Sequence, residues 1–129
     1  MLKQEWPAPR TAKFRQAGFV YLHVALLYES AVYAMLQVDP SLLPLRFGVP
    51  WLWLGLGALI AGFVFIGLYR WQNVWFARII WILHSLRLPS LIASAFFDPS
   101  VLAPQVFYMT AILAVIINLW MLARAGWDI

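Results

Sequence analysis

The chain of 129 residues contains no cysteine and few charged residues. Without cysteine it forms neither a disulfide framework nor a thiolate metal site. Charged residues make up 11% of the sequence, against roughly 25% in soluble domains. Hydrophobic residues make up 64%, with a mean hydropathy of +0.82. Because small soluble domains bury only about two-thirds of their chain surface, this composition predicts an integral membrane protein in contact with the lipid bilayer.

Sequence motifs of common catalytic and ligand-binding sites are also missing. There is no glycine-rich phosphate loop, HExxH zinc motif, EF-hand spacing or Gly-x-Ser-x-Gly elbow. We therefore predict no catalytic residues and no metal site, and the pattern favours a non-catalytic protein. The net charge of +4 is interpreted by its position along a membrane chain, so no nucleic-acid partner is expected.

Four apolar runs reach the length of about 20 residues that a membrane span needs. They cover residues of about 17–38, 50–69, 75–97 and 104–124. In lipid each run must satisfy its own backbone hydrogen bonds, so each is predicted to be a helix. The sequence thus predicts one all-α domain over residues 1–129, a four-helix transmembrane bundle with short loops.

The basic residues outside the spans or near their ends predict the orientation. One side of the predicted topology carries seven of them, and the other side carries only Arg46. The seven are Lys3, Arg10, Lys13, Arg15, Arg70, Arg78 and Arg124. By the positive-inside rule both termini are expected on the cytoplasmic side, in a bacterial inner membrane.

Two opposite charges are predicted at similar depth in the first and third spans. At about 1.5 Å per residue, Glu29 lies about 18 Å beyond Ala17. Arg87 lies about the same distance, 18 Å, beyond Trp75. A lone charge at this depth costs at least about 2.5 kcal/mol. We therefore predict a Glu29–Arg87 ion pair, within one chain or across subunits, that lines a solute or proton path or fixes helix packing.

Further polar residues surround Arg87 in the third span. His84 precedes Arg87 by three residues, so both share one helix face. Pro89 lacks a backbone N–H and leaves the Ser85 carbonyl without its helical partner, which predicts a kink. Such kinks beside polar groups open small wet cavities. Ser85 and, from the first span, Ser30 complete the predicted polar core.

The two histidines raise the possibility of a cofactor. The first and third spans run in the same direction, so His23 and His84 could each offer an imidazole to a haem b iron or hydrogen bonds to a quinone. Haem ligation also needs a partner for the second nitrogen of each ring. More often such histidines pack through hydrogen bonds, and no cofactor is assigned.

The second span is rich in small residues. Pairs of them lie four residues apart, a spacing that lets another helix backbone approach closely. We therefore predict a helix-packing face, within the bundle or toward a partner, formed by Gly55, Gly57, Ala58, Ala61 and Gly62.

Three functions are compatible with these features. The favoured one is a small non-catalytic accessory or assembly subunit of a larger membrane complex, for example an energy-transducing one, with other membrane subunits or copies of itself as partners. The second is an oligomeric transporter or proton-conducting protein that uses Glu29, Arg87 and His84. The third is a haem- or quinone-binding electron-transfer protein that uses His23 and His84.

Overall fold

The computed structural model describes residues 4–39 and 50–129, with the side chains of residues 50, 51 and 53 excepted. Lys3 and Arg46, which enter the orientation argument, lie outside the described residues. The described part is helical and has no strand. Four of its helical segments are long and apolar enough to cross a membrane, namely Ala8–Val38, Leu54–Trp71, Val74–Phe96 and Gln105–Trp127.

Helix α1, Ala8–Val38, begins nine residues before the predicted span. Pro7 caps it and a second proline follows in its first turn, where a missing N–H is harmless. The added residues are too polar to count as an apolar run, yet Phe14 is fully buried within them. Hydropathy therefore underestimates this helix, because its first turns are stabilised by packing against the protein.

Helix α2, Pro50–Ile66, continues into a π-helical turn over Gly67–Trp71. The wider turn is closed by a hydrogen bond from the Gln72 amide to the Gly67 carbonyl at 3.1 Å. Gln72 has a left-handed conformation with φ of 52°, which ends the helix. The side chain of Asn73 then accepts hydrogen bonds from the amides of Trp75 and Phe76 and begins the next helix.

The third span consists of two helices, α3 over Val74–Ser85 and α4 over Leu88–Phe96. The interruption at Leu86 and Arg87 lies directly before Pro89, where the sequence places a kink. Helix α5, Gln105–Trp127, forms the fourth span. Helix α1 packs on α2 and α5, and α5 packs on α3 and α4, while the π-helical turn contacts α1, α2 and α3.

Buried apolar side chains form two separate clusters. The first includes Phe14, Leu68 and Leu122 and lies near both termini. The second includes Leu91 and Tyr108 and lies where α4 packs on α5. Outside the clusters many large apolar side chains are exposed, the arrangement expected of helices that face lipid. The candidate site lies between the two clusters.

Candidate functional site: a polar cavity between the four spans

A cavity of about 320 Å³ lies between the two apolar clusters. All four spans contribute to its wall, and its polar lining side chains are Tyr21, Tyr28, Glu29, His84, Arg87 and Asn118. Glu29, His84, Arg87 and Asn118 each lie at least nine residues from both ends of their spans, which corresponds to about 13 Å along the helix. The cavity is therefore near the middle of the spans.

The cavity has a closed floor and an open side. Its floor is formed by α1 and α5, where Tyr21, Val115 and Asn118 are buried. The lining residues that are exposed are Leu56 and Ile60 on α2 and Arg87 between α3 and α4. Helix α2 packs on α1, whereas α3 and α4 pack on α5. The opening therefore lies at the side of the molecule, between α2 and the break in the third span.

Glu29 extends from α1 toward α2, where it meets Gly57. A Cβ atom built on Gly57 would overlap the Glu29 carboxylate, with the Glu29 Cδ only 3.0 Å away. A glycine at this position thus leaves the room that the carboxyl group occupies. No hydrogen bond or ion pair to the Glu29 carboxylate is found within residues 4–39 and 50–129.

Arg87 lines the same cavity but does not form the predicted ion pair with Glu29. Its guanidinium carbon lies 5.7 Å from the centre of the Tyr28 ring, a cation–π contact. The physical reason is the direction of the two side chains: Arg87 is exposed at the edge of the cavity, whereas Glu29 points to α2. Opposite charges thus share one cavity without contact in the described part of the chain.

The structure does not bring His23 and His84 together. His84 lines the cavity, and its ring centre lies 5.2 Å from that of Tyr21. His23 is exposed, with its Nδ1 2.7 Å from the Phe19 carbonyl of its own helix. It follows Tyr21 by two residues, about 200° around the helix, and so faces away from the cavity. Two-histidine haem ligation within one chain does not fit this arrangement.

The predicted serines of the polar core bond within their own helices. The Ser30 hydroxyl donates to the Leu26 carbonyl at 2.7 Å, and the Ser85 hydroxyl donates to the Ile82 carbonyl at 2.8 Å. Neither serine lines the cavity. Their hydroxyl groups are therefore satisfied by backbone carbonyls of the preceding turn.

The small residues of α2 lie on two faces of the helix. Gly57 and Ala61 line the cavity. Gly55 and Gly62 have no neighbouring atom within 4 Å of an added Cβ, and Ala58 is exposed. The latter three lie three and four residues apart and therefore share an outward face. The predicted single packing face is thus divided between the cavity and the outer surface.

Three cavity residues were not predicted as site residues. Asn118 is 5% exposed, and its Oδ1 has no hydrogen-bond partner. Tyr21 and Tyr28 are seven residues apart, so they share the α1 face that also carries Glu29. This seven-residue spacing is the sequence feature from which the two tyrosines could have been predicted as site residues. A lone asparagine in an apolar helix gives no comparable signal, because its direction depends on helix rotation.

No group of three or more histidine, cysteine, aspartate or glutamate side chains that could hold a metal ion occurs among the residues that the structure describes. No protein family, curated protein or solved structure matches this chain. Its site is therefore interpreted from its own geometry.

Proposed function

We propose that this chain is an integral membrane protein that binds a small lipid-soluble molecule in its central cavity. In this proposal the four spans form a bundle in a bacterial inner membrane. The observation that carries the proposal is the set of polar groups that line the cavity and have no partner among the described residues. It comprises the Glu29 carboxylate and the buried Asn118 Oδ1, and Arg87 lines the cavity with no acidic partner in that part of the chain. Buried polar groups are costly when unpaired, and a ligand would satisfy them.

The size and position of the cavity support binding of a ligand from the lipid phase. Its volume of about 320 Å³ lies at the lower end of the range for ligand pockets, roughly 300 to 1,000 Å³. In a bilayer, its open side between α2 and the α3–α4 break would face lipid tails. A molecule dissolved in the membrane could therefore enter without crossing a polar surface.

The lateral opening favours binding over conduction of protons or solutes. A conducting path would need polar groups that continue toward both ends of the spans. Here Glu29, His84 and Arg87 gather at one depth, and the buried apolar clusters lie on both sides of them. For the predicted transport role, the packed side chains of both apolar clusters would therefore have to separate to connect the cavity with the two ends of the spans.

The binding proposal is tested by identifying what the protein retains from native membrane. The chain is extracted into polymer nanodiscs, and its bound small molecules are identified by mass spectrometry. Ala114→Phe places an aromatic ring in the cavity, whereas Ala34→Phe makes the same change at an exposed position of α1. We expect one molecule to be enriched in the wild type and in Ala34→Phe and depleted in Ala114→Phe. Equal amounts of every bound small molecule in all three samples would contradict the proposal.

A second candidate function, an accessory subunit of a larger membrane complex, is favoured by the outward face of Gly55, Ala58 and Gly62. Small residues at this spacing allow close approach of another membrane helix. We expect Ala58→Phe to remove a co-purifying membrane protein, and Leu59→Phe, at a neighbouring exposed position, to retain it. Purification of the wild type as a lone monomer would argue against this candidate.

The proposed orientation, with both termini cytoplasmic, can be tested because the chain contains no cysteine. A single cysteine at Ser100 would lie between α4 and α5, and one at Ile129 would follow α5. We expect a membrane-impermeant maleimide to label intact spheroplasts of Ser100→Cys, and to label Ile129→Cys only after permeabilisation. The reverse labelling pattern would show that the termini lie on the periplasmic side.

A further inference from the structure

We infer that the ligand of this cavity is a quinol, the reduced form of a membrane quinone, with its two ring hydroxyls as hydrogen-bond donors. The inference rests on the proposed binding function and names the chemical class of the ligand. It concerns binding alone and assigns no electron-transfer step to the chain.

Besides the hydroxyls of Tyr21 and Tyr28, which can both donate and accept, the cavity presents three acceptor groups for which no donor is found among the described residues. The Nδ1 of His84 lies 3.2 Å from the Ile80 carbonyl. Because a carbonyl oxygen only accepts, Nδ1 carries the hydrogen, and Nε2 of the neutral ring is an acceptor. The Oδ1 of Asn118 is buried without a donor, and the carboxylate of Glu29 also accepts. A ligand that satisfies these three groups must bring donors of its own.

The cavity also contains a cationic donor. Arg87 lies at its open edge, where the guanidinium covers the Tyr28 ring. Arginine has five N–H donors and no acceptor. The complete ligand must therefore offer oxygen atoms that accept as well as hydrogens that donate. A hydroxyl group does both, whereas the carbonyl oxygens of an oxidised quinone only accept and would leave Asn118 and His84 unpaired.

The depth of the cavity argues against a phospholipid as its ligand. Its polar groups lie about 13 Å or more from the span ends, whereas a charged phospholipid head group remains at the membrane surface. A carboxylate and a guanidinium in the same cavity balance each other in charge, so the complementary ligand is neutral. A neutral polar ring on an apolar tail reaches this depth without the cost of burying a charge.

The volume of the cavity is sufficient for one ring. A volume of about 320 Å³ corresponds to about ten water molecules at roughly 30 Å³ each, enough for one substituted six-membered ring. Tyr21 and His84, with ring centres 5.2 Å apart, and Tyr28 provide aromatic walls for ring contacts. The exposed Leu56 and Ile60 at the open side would contact an apolar tail that extends into lipid.

The test compares three ring compounds with the same short alkyl tail. Decylubiquinol, decylubiquinone and the dimethyl ether of decylubiquinol are titrated into the full chain in detergent micelles by anaerobic isothermal titration calorimetry. The ether removes both donors and adds one methyl group to each oxygen, whereas the quinone removes both donors without added bulk and is therefore the size-matched comparison. We expect the quinol to bind about tenfold more tightly than either other compound, the factor that one hydrogen bond of about 1.4 kcal/mol gives. Equal affinity of the quinol and its ether would overturn the inference.

Variants locate the binding site within the cavity. Asn118→Leu and His84→Phe each remove one acceptor, and we expect each to weaken quinol binding by about tenfold while binding of the ether changes little. Ser30→Ala removes a hydroxyl outside the cavity and is expected to bind as the wild type does. Unchanged quinol affinity in Ala114→Phe would overturn the inference. The wild-type comparison of the quinol with the quinone and the ether decides the matter even if a variant fails to fold.

The outcomes separate this inference from the proposed function. If Ala114→Phe loses a co-purifying molecule that is not a quinone or quinol, and the quinol does not bind, the binding function stands and the inference fails. If no molecule is retained and neither quinol nor quinone binds, both fail.

Discussion

Gln72 and Asn118 are side-chain amides that are equally buried, each 5% exposed, at two different places in the molecule. Gln72 follows the π-helical turn, and its amide nitrogen donates to the Tyr69 carbonyl at 3.1 Å. Asn118 lies at mid-span on the cavity floor, and its Oδ1 has no partner. The same chemical group is thus satisfied in one region and unsatisfied in the other.

The contrast extends to the arginines. Arg10, Arg78, Trp6 and Gln72 form what we call the terminal cluster, where the N-terminal segment meets the α2–α3 turn and the end of α5. Arg10 donates to the carbonyls of Ala125 and Gly126, and Arg78 also donates to Gly126. The Trp6 indole donates to the Gln72 carbonyl at 2.7 Å.

Arg87 in the cavity contacts the Tyr28 ring and makes no hydrogen bond to a carbonyl within the described residues. A hydrogen-bonded polar group rigidifies the structure around it, whereas an unpaired buried one lowers stability. Polar residues of the terminal cluster therefore stabilise the fold, while unpaired polar groups of the cavity lower its stability. The second behaviour is typical of binding sites.

The largest effect is expected from breaking the terminal cluster. Arg10→Ala removes the charged donor of two carbonyls at the end of α5 and its contact with the Trp6 ring, 4.2 Å away. Because Arg10 is only partly buried, we expect the free energy of unfolding to fall by about 2 kcal/mol, which is the contribution of one hydrogen bond to a charged group (about 1.5–3 kcal/mol). The measurement is thermal unfolding in detergent. Arg70→Ala, at an exposed position, should change it by less than about 0.5 kcal/mol.

Two glycines of the same span test the difference in packing. A Cβ on Gly67 would overlap the Phe76 ring, which packs against Phe63 and Trp71, so Gly67→Ala should destabilise by about 1–3 kcal/mol. A Cβ on Gly57 meets the flexible end of Glu29, which can turn into the cavity. We expect Gly57→Ala to change stability by less than about 1 kcal/mol, because alanine also favours the helix. Stability is measured by thermal unfolding, and equal losses of stability in Gly67→Ala and Gly57→Ala would contradict the expected difference in packing.

A substitution at the cavity floor is expected to increase the free energy of unfolding instead of lowering it. Asn118→Leu removes an unpartnered buried amide, whose burial costs about 1–3 kcal/mol, so we expect the ligand-free protein to gain about 1 kcal/mol of stability. Gln72→Met removes the amide that bonds Tyr69 and should lose stability. Both variants are measured by thermal unfolding after delipidation. A loss on Asn118→Leu would mean that this amide has a stabilising partner.

The sequence predicts the coarse fold well because spans depend on local composition. Hydropathy locates four apolar runs, and the described helices cover all of them. It misses the first turns of α1, since Phe14 is buried by contacts with distant parts of the chain that local composition does not contain. The π-helical turn is also missed, because the hydrogen bond that closes it depends on the left-handed conformation of Gln72, which hydropathy does not indicate.

The candidate site is predicted less completely. Depth counting predicts that Glu29 and Arg87 lie at similar levels, because helix rise is constant, and both residues line the same cavity. Contact between Glu29 and Arg87 depends on rotation about each helix axis. That rotation is set by packing between helices, which residue spacing along the chain does not contain. Which small residues of α2 face inward is undetermined for the same reason.

The smallest effect is expected at the exposed edge of the terminal cluster. Lys13 Nζ lies 2.9 Å from Asp128 Oδ1, and this hydrogen bond lowers the pKa of the Asp128 carboxyl below its ordinary value of 3.8. Because the pKa is lower in the folded state, the stabilisation is complete at pH 7 and is lost as the pH falls below 3.8 toward the folded pKa. Asp128→Asn keeps a side chain that tolerates the left-handed backbone there. We expect its thermal midpoint to lie slightly below that of the wild type at pH 7 and the difference to become smaller in 1 M salt, where the screening length of about 3 Å is close to the 2.9 Å separation of the two charged atoms. A difference that salt does not reduce would show that Asp128 stabilises the end of α5 by something other than its charge.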